Sequence, residues 1–173
     1  KEEKEIVQTT PLKKWGGAFD ASDEPSALSN SGKSVLSELL APTRLYVKQF
    51  LAAASAVKIK AAVHVTGDAF LKFKEVQKFS DVGFEFEVKA DGIPPVFQLI
   101  RDAAGKLGKS LSWAEMFSTF NMGIGFVFAV DKKDVGGALA ALKKAGAADA
   151  FECGRVTREK KIVVKFGREE IIL

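Results

Sequence analysis

Cysteine and histidine are each present once in this chain. Cys153 is the single cysteine among 173 residues, so no intrachain disulfide can form and no oxidising compartment is indicated. It falls in the apparent strand AFECGRV, where a small buried side chain is the simpler role than a reactive thiol. His64 is the single histidine; with Cys153 far from it in sequence, no metal site of the usual kind can be assembled. No apolar run approaches the ~20 residues that span a bilayer, and the charged start KEEKE is not a signal peptide. A soluble, cytoplasmic protein without membrane contact is therefore expected. Charge of one sign is not concentrated anywhere. The net charge is +4, but basic residues alternate with acids, which argues against a nucleic-acid surface while leaving an anionic small-molecule substrate acceptable. The aromatics fall on predicted core faces rather than between exposed basic residues.

Two further absences remove enzyme classes. No Gly-x-Ser-x-Gly elbow exists, so a Ser-His-Asp hydrolase is unsupported. Gly32-Lys33-Ser34 has the look of a P-loop tail, yet the position where the first glycine of that motif belongs is Ala27, and no buried strand precedes it. There is no internal repeat and no low-complexity segment. The chain begins with Lys1 rather than Met, as a processed chain or one domain of a longer protein does.

At 173 residues, 47% hydrophobic and 28% charged, the sequence has the balance of a globular domain with a substantial core. Residues 1 to about 30 show no sustained period and read as a lead-in or linker. A short helix over GKSVLSELL ends near Pro42, and YVKQFLAAASAV (Tyr46 to Val57) reads as a second, with Phe50, Leu51 and Ala54 on one face. A buried strand follows over about Ile59 to Val65, then a helix from Phe70 to Phe79 with Phe70, Phe73 and Val76 inward. Phe84 to Val88 alternates strictly, which places Phe84, Phe86 and Val88 in the core and Glu85 and Glu87 in water. Pro94-Pro95 opens a helix that stops at Gly105, and Ser112 with Glu115 has capping-box spacing ahead of a short helix carrying Met116 and Phe117.

GIGFVFAV (Gly123 to Val130) reads as a central strand. Its Gly-x-Gly leads into a strand rather than opening a helix, so it is not a dinucleotide fingerprint; the glycines suit close approach of a backbone or ligand. Asp131 caps a helix with Val135, Leu139 and Leu142 buried and Gly146 at its end. Phe151 to Thr157 and Ile162 to Phe166 flank REKK as a terminal hairpin. The expected class is α+β (α/β layered), with one mixed β-sheet covered by helices. The expected domains are a lead-in over residues 1–40 and an α/β domain over residues 41–173.

The stretch AAVHVTGD (Ala61 to Asp68) carries the chemistry best. Thr66 and Gly67 turn a strand sharply into an amphipathic run, exposing N–H groups and a hydroxyl where an anion can sit; an ordinary strand-to-helix turn has the same look. Asn121 and Gly123 precede another strand, and a pocket at the sheet edge can bring the two corners together, though both also suit plain tight turns. A lone histidine in an apolar strand reads first as a packed or near-surface residue, and Arg44 reads equally as a surface charge paired with a nearby acid.

Three segments in order, PTRLYVK (Pro42 to Lys48), HVTG (His64 to Gly67) and FNMGIG (Phe120 to Gly125), resemble the C-terminal half of the phosphoribosylformylglycinamidine cyclo-ligase family, the aminoimidazole ribonucleotide synthetases. The resemblance covers about Leu39 to Val156. Related families, among them selenophosphate synthetase, thiamine monophosphate kinase and a hydrogenase maturation factor, share the architecture; Asn-Met-Gly with Pro-Thr-Arg favours the purine enzyme. The resemblance implies an ATP-dependent ring closure, with Mg²⁺, that turns formylglycinamidine ribonucleotide into aminoimidazole ribonucleotide, ADP and phosphate. It also implies an N-terminal ATP-binding domain as partner and a homodimer when full length. Carried onto this chain, it gives His64 and Asn121 catalytic roles and assigns Arg44, Thr66, Gly67, Asp68 and Gly123 to substrate or phosphate binding. The family often continues His-x-Thr-Gly with more glycine; here Asp68 and Ala69 follow, and a carboxylate repels a phosphate unless Mg²⁺ or a basic group intervenes. The competing class is a stand-alone nucleotide- or phosphate-binding domain without turnover.

Overall fold

The computed structural model describes residues 38–173. The lead-in, the Gly32-Lys33-Ser34 segment and most of the helix expected ahead of Pro42 lie outside them. The described residues divide into two compact units: Thr43–Ile93 with Trp113–Leu173, and Pro94–Ser112 with residues up to Pro42.

In the larger unit an alanine-rich run forms helix α1, Val47–Ala56. Its inward side carries the buried Ala53 and the half-buried Phe50, while Leu51 is 57% exposed. The expected stripe through Leu51 and Ala54 is thus displaced, because alanine is small enough to let α1 approach helix α5, Val135–Lys144, against which it packs.

Strand β1, Ala61–His64, ends in a turn that feeds a 3₁₀ segment, Ala69–Lys72, and the short helix α2, Phe73–Gln77. Strand β2, Gly83–Val88, keeps the predicted alternation, with Phe84, Phe86 and Val88 buried. Glu85 corrects it: its side chain is only 14% exposed and lies between Arg155 at 2.7 Å and Lys165 at 3.0 Å. Hydrogen bonding from Lys165, then from Arg155, holds its carboxyl below the ordinary range despite the opposing effect of desolvation. Glu87 is in water as expected.

Helix α3, Pro95–Lys106, belongs to the smaller unit. It starts on Pro95 as predicted but runs through Gly105. It stops where Gly108 turns left-handed (φ +76), with Lys109 N–H donating to Ala104 C=O at 2.8 Å and Gly108 N–H to Gly105 C=O at 3.0 Å; this is a Schellman closure. The guanidinium of Arg101 ties the following segment back by donating to Leu111 C=O at 2.9 Å.

Back in the larger unit, helix α4, Trp113–Thr119, begins directly after Ser112 and buries Met116 and Phe117. Strand β3, Phe126–Ala129, follows. Asp131 caps no helix with its side chain; its carboxylate lies 3.1 Å from the Lys60 ammonium, and Val135 opens α5 directly after a three-residue 3₁₀ turn, Lys132–Asp134. Strands β4, Gly154–Thr157, β5, Ile162–Phe166, and β6, Glu169–Ile172, complete the chain.

The mixed sheet covered by helices is present, four strands in the order β4-β2-β5-β6, with β2 and β5 parallel and the outer pairs antiparallel. Beside it β1 and β3 form a two-stranded antiparallel ribbon, so GIGFVFAV supplies a ribbon strand rather than a central one. The hairpin expected around REKK is instead split by β2, which inserts between β4 and β5; the true hairpin is β5 with β6. Gly83 permits this crossing. A Cβ there would lie 1.7 Å from the Glu159 carbonyl oxygen, where the connecting turn passes over the start of β2, and Phe84 N–H donates to Lys161 C=O at 2.8 Å.

An aromatic cluster forms the core. Phe70 is fully buried and meets Phe86 at 5.0 Å and Phe117 at 5.5 Å between ring centroids, both edge to face. Phe73 meets Phe84 and Phe86 at 4.9 and 4.7 Å, and Phe166 closes on Phe117 and Trp113. Phe79, expected at the end of a longer helix, is 91% exposed because α2 stops at Gln77.

Candidate functional site

The ribbon decides where the two sequence corners go. β1 and β3 are antiparallel with His64 opposite Phe126, and Val65 N–H donates to Gly125 C=O at 2.9 Å. The end of β1 and the beginning of β3 therefore coincide. Thr66, Gly67 and Asp68 leave this end of the ribbon, and Asn121 and Gly123 arrive at it.

On the departing side, Thr66 N–H donates to His64 C=O at 3.0 Å and Thr66 C=O accepts from Ala69 N–H at 2.8 Å. The corner so closed holds Asp68 at φ +64 and Ala69 at φ +42, the left-handed region that costs L residues other than glycine about 1–2 kcal/mol. Asp68 is exposed and makes no capping hydrogen bond with its side chain. Asp68→Gly is expected to stabilise the chain by about 0.5–1 kcal/mol, relieved strain outweighing the freer unfolded chain, whereas Asp68→Asn, still tolerant of this conformation, leaves stability unchanged. Chemical denaturation of the three proteins checks this; equal midpoints for Asp68→Gly and the parent count against strain at the corner.

Lys72, one turn on, donates from its ammonium to the Thr66 hydroxyl oxygen. Sequence reasoning passed over it, although a lysine early in the element that follows a phosphate-type turn is the available signal. It is the kind of basic group that lets an anion tolerate the Asp68 carboxylate, and the Thr66 hydroxyl proton stays available for donation.

On the arriving side, Ile124 N–H donates to Asn121 C=O at 2.8 Å, with Met122 at φ +50 and Gly123 at φ +90, the pattern of a type I′ turn. The Asn121 side-chain oxygen accepts from Gly123 N–H at 3.0 Å, which fixes the amide orientation. Met122 is 1% exposed, so its burial holds an unbranched side chain in a conformation it would otherwise avoid.

Tyr46 links these corners to Arg44. Its ring stands edge-on to His64 at 5.5 Å and stacks on Phe126 at 5.4 Å, while the Arg44 guanidinium lies 5.9 Å from its centroid. Gly125 makes room for it, since a Cβ there would lie 1.9 Å from the phenolic oxygen. Arg44 itself donates to Asp149 at 2.7 Å. That bond holds the Asp149 carboxyl below its ordinary range and raises the already high Arg44 value, with partial desolvation opposing both. Both side chains are substantially exposed, so the pair contributes little to stability. The predicted residues thus fall into one group at the ribbon end (His64, Thr66, Gly67, Asp68, Asn121, Gly123) and Arg44, which reaches that group through Tyr46. Tyr46 and Asp149 were missed: the first reads as a helix start and the second as one more acid in a loop.

Cys153 is half-buried, and desolvation raises its thiol above the ordinary value, in keeping with an unreactive side chain. Among the described residues no group of three or more His, Cys, Asp or Glu side chains could hold a metal ion, and no helix is long and apolar enough to cross a membrane.

Residues 7–167 match the family model described as AIR synthase related protein, C-terminal domain. A phosphoribosylformylglycinamidine cyclo-ligase of Alkaliphilus oremlandii is 36% identical over 135 residues, 77% of this chain and 37% of that protein. One from Shouchella clausii is 38% identical over 133 residues, with the same two shares. One from Bacillus velezensis is 39% identical over 159 residues, 91% of this chain and 42% of that protein. The chain therefore spans about two fifths of the length of these relatives. On the extent of the match and the identity over most of its length, the chain belongs to the family of AIR synthase related C-terminal domains.

Proposed function

We propose that this chain is the C-terminal domain of an ATP-dependent phosphoribosylformylglycinamidine cyclo-ligase of purine biosynthesis, acting in the cytoplasm on formylglycinamidine ribonucleotide. It contributes one wall of the active site. The principal site for ATP and Mg²⁺ belongs to an N-terminal ATP-binding domain, to which residues 1–40 lead, and the full-length protein forms a homodimer. ATP supplies the phosphoryl group that activates the formyl oxygen for attack by an internal nitrogen.

The observation that carries this reading is the antiparallel register of His64 with Phe126, which gathers both small-and-polar corners at one end of the ribbon; the names of the relatives supply the reaction. In this assignment the Thr66 hydroxyl and Gly67 N–H donate to a substrate phosphate, with Lys72 offsetting the charge of Asp68. Asn121 and Gly123 shape the cleft. His64 hydrogen-bonds to or moves a proton of the reacting group, and Arg44, steadied by Asp149, adds positive charge from beyond Tyr46. Such catalysis is mostly positioning and charge stabilisation.

Thr66→Ala in the full-length protein tests the assignment. Losing one hydrogen bond to a charged group is expected to reduce kcat/KM by about 10- to 100-fold while the melting temperature changes little. Unchanged steady-state kinetics would remove Thr66 from the site and favour a binding domain without turnover.

A further inference from the structure

Arg44 and Asp149 stand 105 positions apart in the chain and meet through one contact, guanidinium to carboxylate at 2.7 Å. Asp149 is placed by backbone: it lies in the turn that Ala150 N–H closes on Ala147 C=O at 3.2 Å, just past the end of α5. Arg44 precedes α1 beside Leu45, which is 84% exposed, so the long arginine side chain is the partner able to turn. Both residues line a cavity of about 730 Å³ whose wall also holds Tyr46, Gly123, Ile124 and Gly125. The Arg44 guanidinium and the Gly123 side of the proposed site therefore open onto one space.

Tyr46 is the surface over which the guanidinium can move. Its ring is stacked on Phe126 and seated over Gly125, and Arg44 lies 5.9 Å from its centroid. A planar guanidinium can keep such a contact with its face while exchanging the acceptor at its edge. The bond to Asp149 is of the kind that exchanges. With side chains 40% and 71% exposed, the pair belongs to the ion pairs worth little in water. A phosphate dianion carries more charge than a carboxylate and takes a guanidinium through two parallel N–H···O bonds, so it outcompetes Asp149, whereas a monoanionic carboxylate gains little by the exchange. Asp131, another acid on this wall, is already joined to Lys60 at 3.1 Å, which leaves Asp149 as the carboxylate that neutralises Arg44.

We propose that Asp149 is a built-in competitor for Arg44: the phosphate of the nucleotide substrate binds by replacing this carboxylate on the guanidinium, and Asp149 thereby sets how strongly anionic a ligand must be to hold Arg44. The inference rests on the assignment of Arg44 to the substrate site and deepens it. The bond that steadies Arg44 is the one that substrate breaks, and Asp149 acts as a positioning residue without touching the ligand.

The test is calorimetric titration of the full-length protein with formylglycinamidine ribonucleotide in the absence of ATP, so that binding is read without turnover. Asp149→Asn removes the competing charge and is expected to tighten binding about two- to fivefold, the value of one exposed ion pair, while Asp149→Glu, which keeps the carboxylate, stays near the parent. Arg44→Gln weakens binding, and in that background Asp149→Asn makes no further difference; this separates exchange from a general field effect of the lost charge, which would persist without the arginine. Melting temperatures of these exposed-site variants check folding. Unchanged or weaker binding by Asp149→Asn, or tightening that survives in the Arg44→Gln background, overturns the exchange. If Arg44→Gln still weakens binding in that case, the proposed site stands without it; a parent protein that does not bind the ribonucleotide overturns the exchange together with the reading on which it rests.

Discussion

Phe70→Ala lowers the melting temperature of this chain by roughly 6–20 °C, the product of a 3–5 kcal/mol loss and the ~2–4 °C per kcal/mol expected at this size. Phe70 has no exposed surface and meets three other aromatic rings, from Phe73 at the start of α2, Phe86 in the sheet and Phe117 on α4. It also sits one residue past the left-handed Ala69, so removing its ring unseats the segment that follows the corner as well as the contact between sheet and helix. The space it leaves cannot close by shifting one element, because its neighbours belong to three. Phe79→Ala is the matched control. At 91% exposure its loss falls within the ~0.5 kcal/mol typical of surface substitutions, and a scan of the two variants beside the parent separates the cases. A fall of less than a few degrees for Phe70→Ala would mean that the cluster is not the centre of the core.

The local rules read the elements of this fold well and their partners poorly. The Phe84-Phe86-Val88 alternation, the Pro95 helix start and the onset of α4 after Ser112 each depend on a few neighbouring residues, and each appears as the pattern predicts. The insertion of β2 between β4 and β5 is different in kind. Nothing in REKK signals it, since the pairing joins residues some seventy positions apart, and the one local trace is a glycine at position 83 that looks like any turn residue. The same holds for Leu51: helical spacing is equally good for either neighbouring face, and only the approach of α5 selects Phe50 and Ala53. In the candidate site, the corners were legible because Thr-Gly and Asn-Met-Gly are turn chemistry at strand ends. Tyr46 and Lys72 were not, because their relevance lies in where α1 and the 3₁₀ segment are placed. Gly125 illustrates both sides: its spacing suggested close approach, and the structure supplies what approaches, the phenol of Tyr46.

His64→Ala in the full-length protein is expected to reduce kcat by about 10²–10⁴, the usual span for a group that transfers or steadies a proton in the transition state. The side chain lies at the last position of β1, exposed, opposite Phe126 and edge-on to Tyr46. Such a placement orients the imidazole through ring contacts while leaving it open to a ligand, and a histidine needed only for packing would instead be enclosed. Stability should therefore change by no more than about 0.5 kcal/mol, which makes activity and folding separable. The same reasoning distinguishes His64 from Tyr46: Tyr46→Phe keeps both ring contacts and should retain most of the turnover, whereas Tyr46→Ala releases His64 and Arg44 together and should lower kcat without abolishing substrate binding. A His64→Ala protein that turns over within threefold of the parent, with its melting temperature unchanged, would make His64 a surface residue of the ribbon and shift the proton chemistry to the other half of the enzyme.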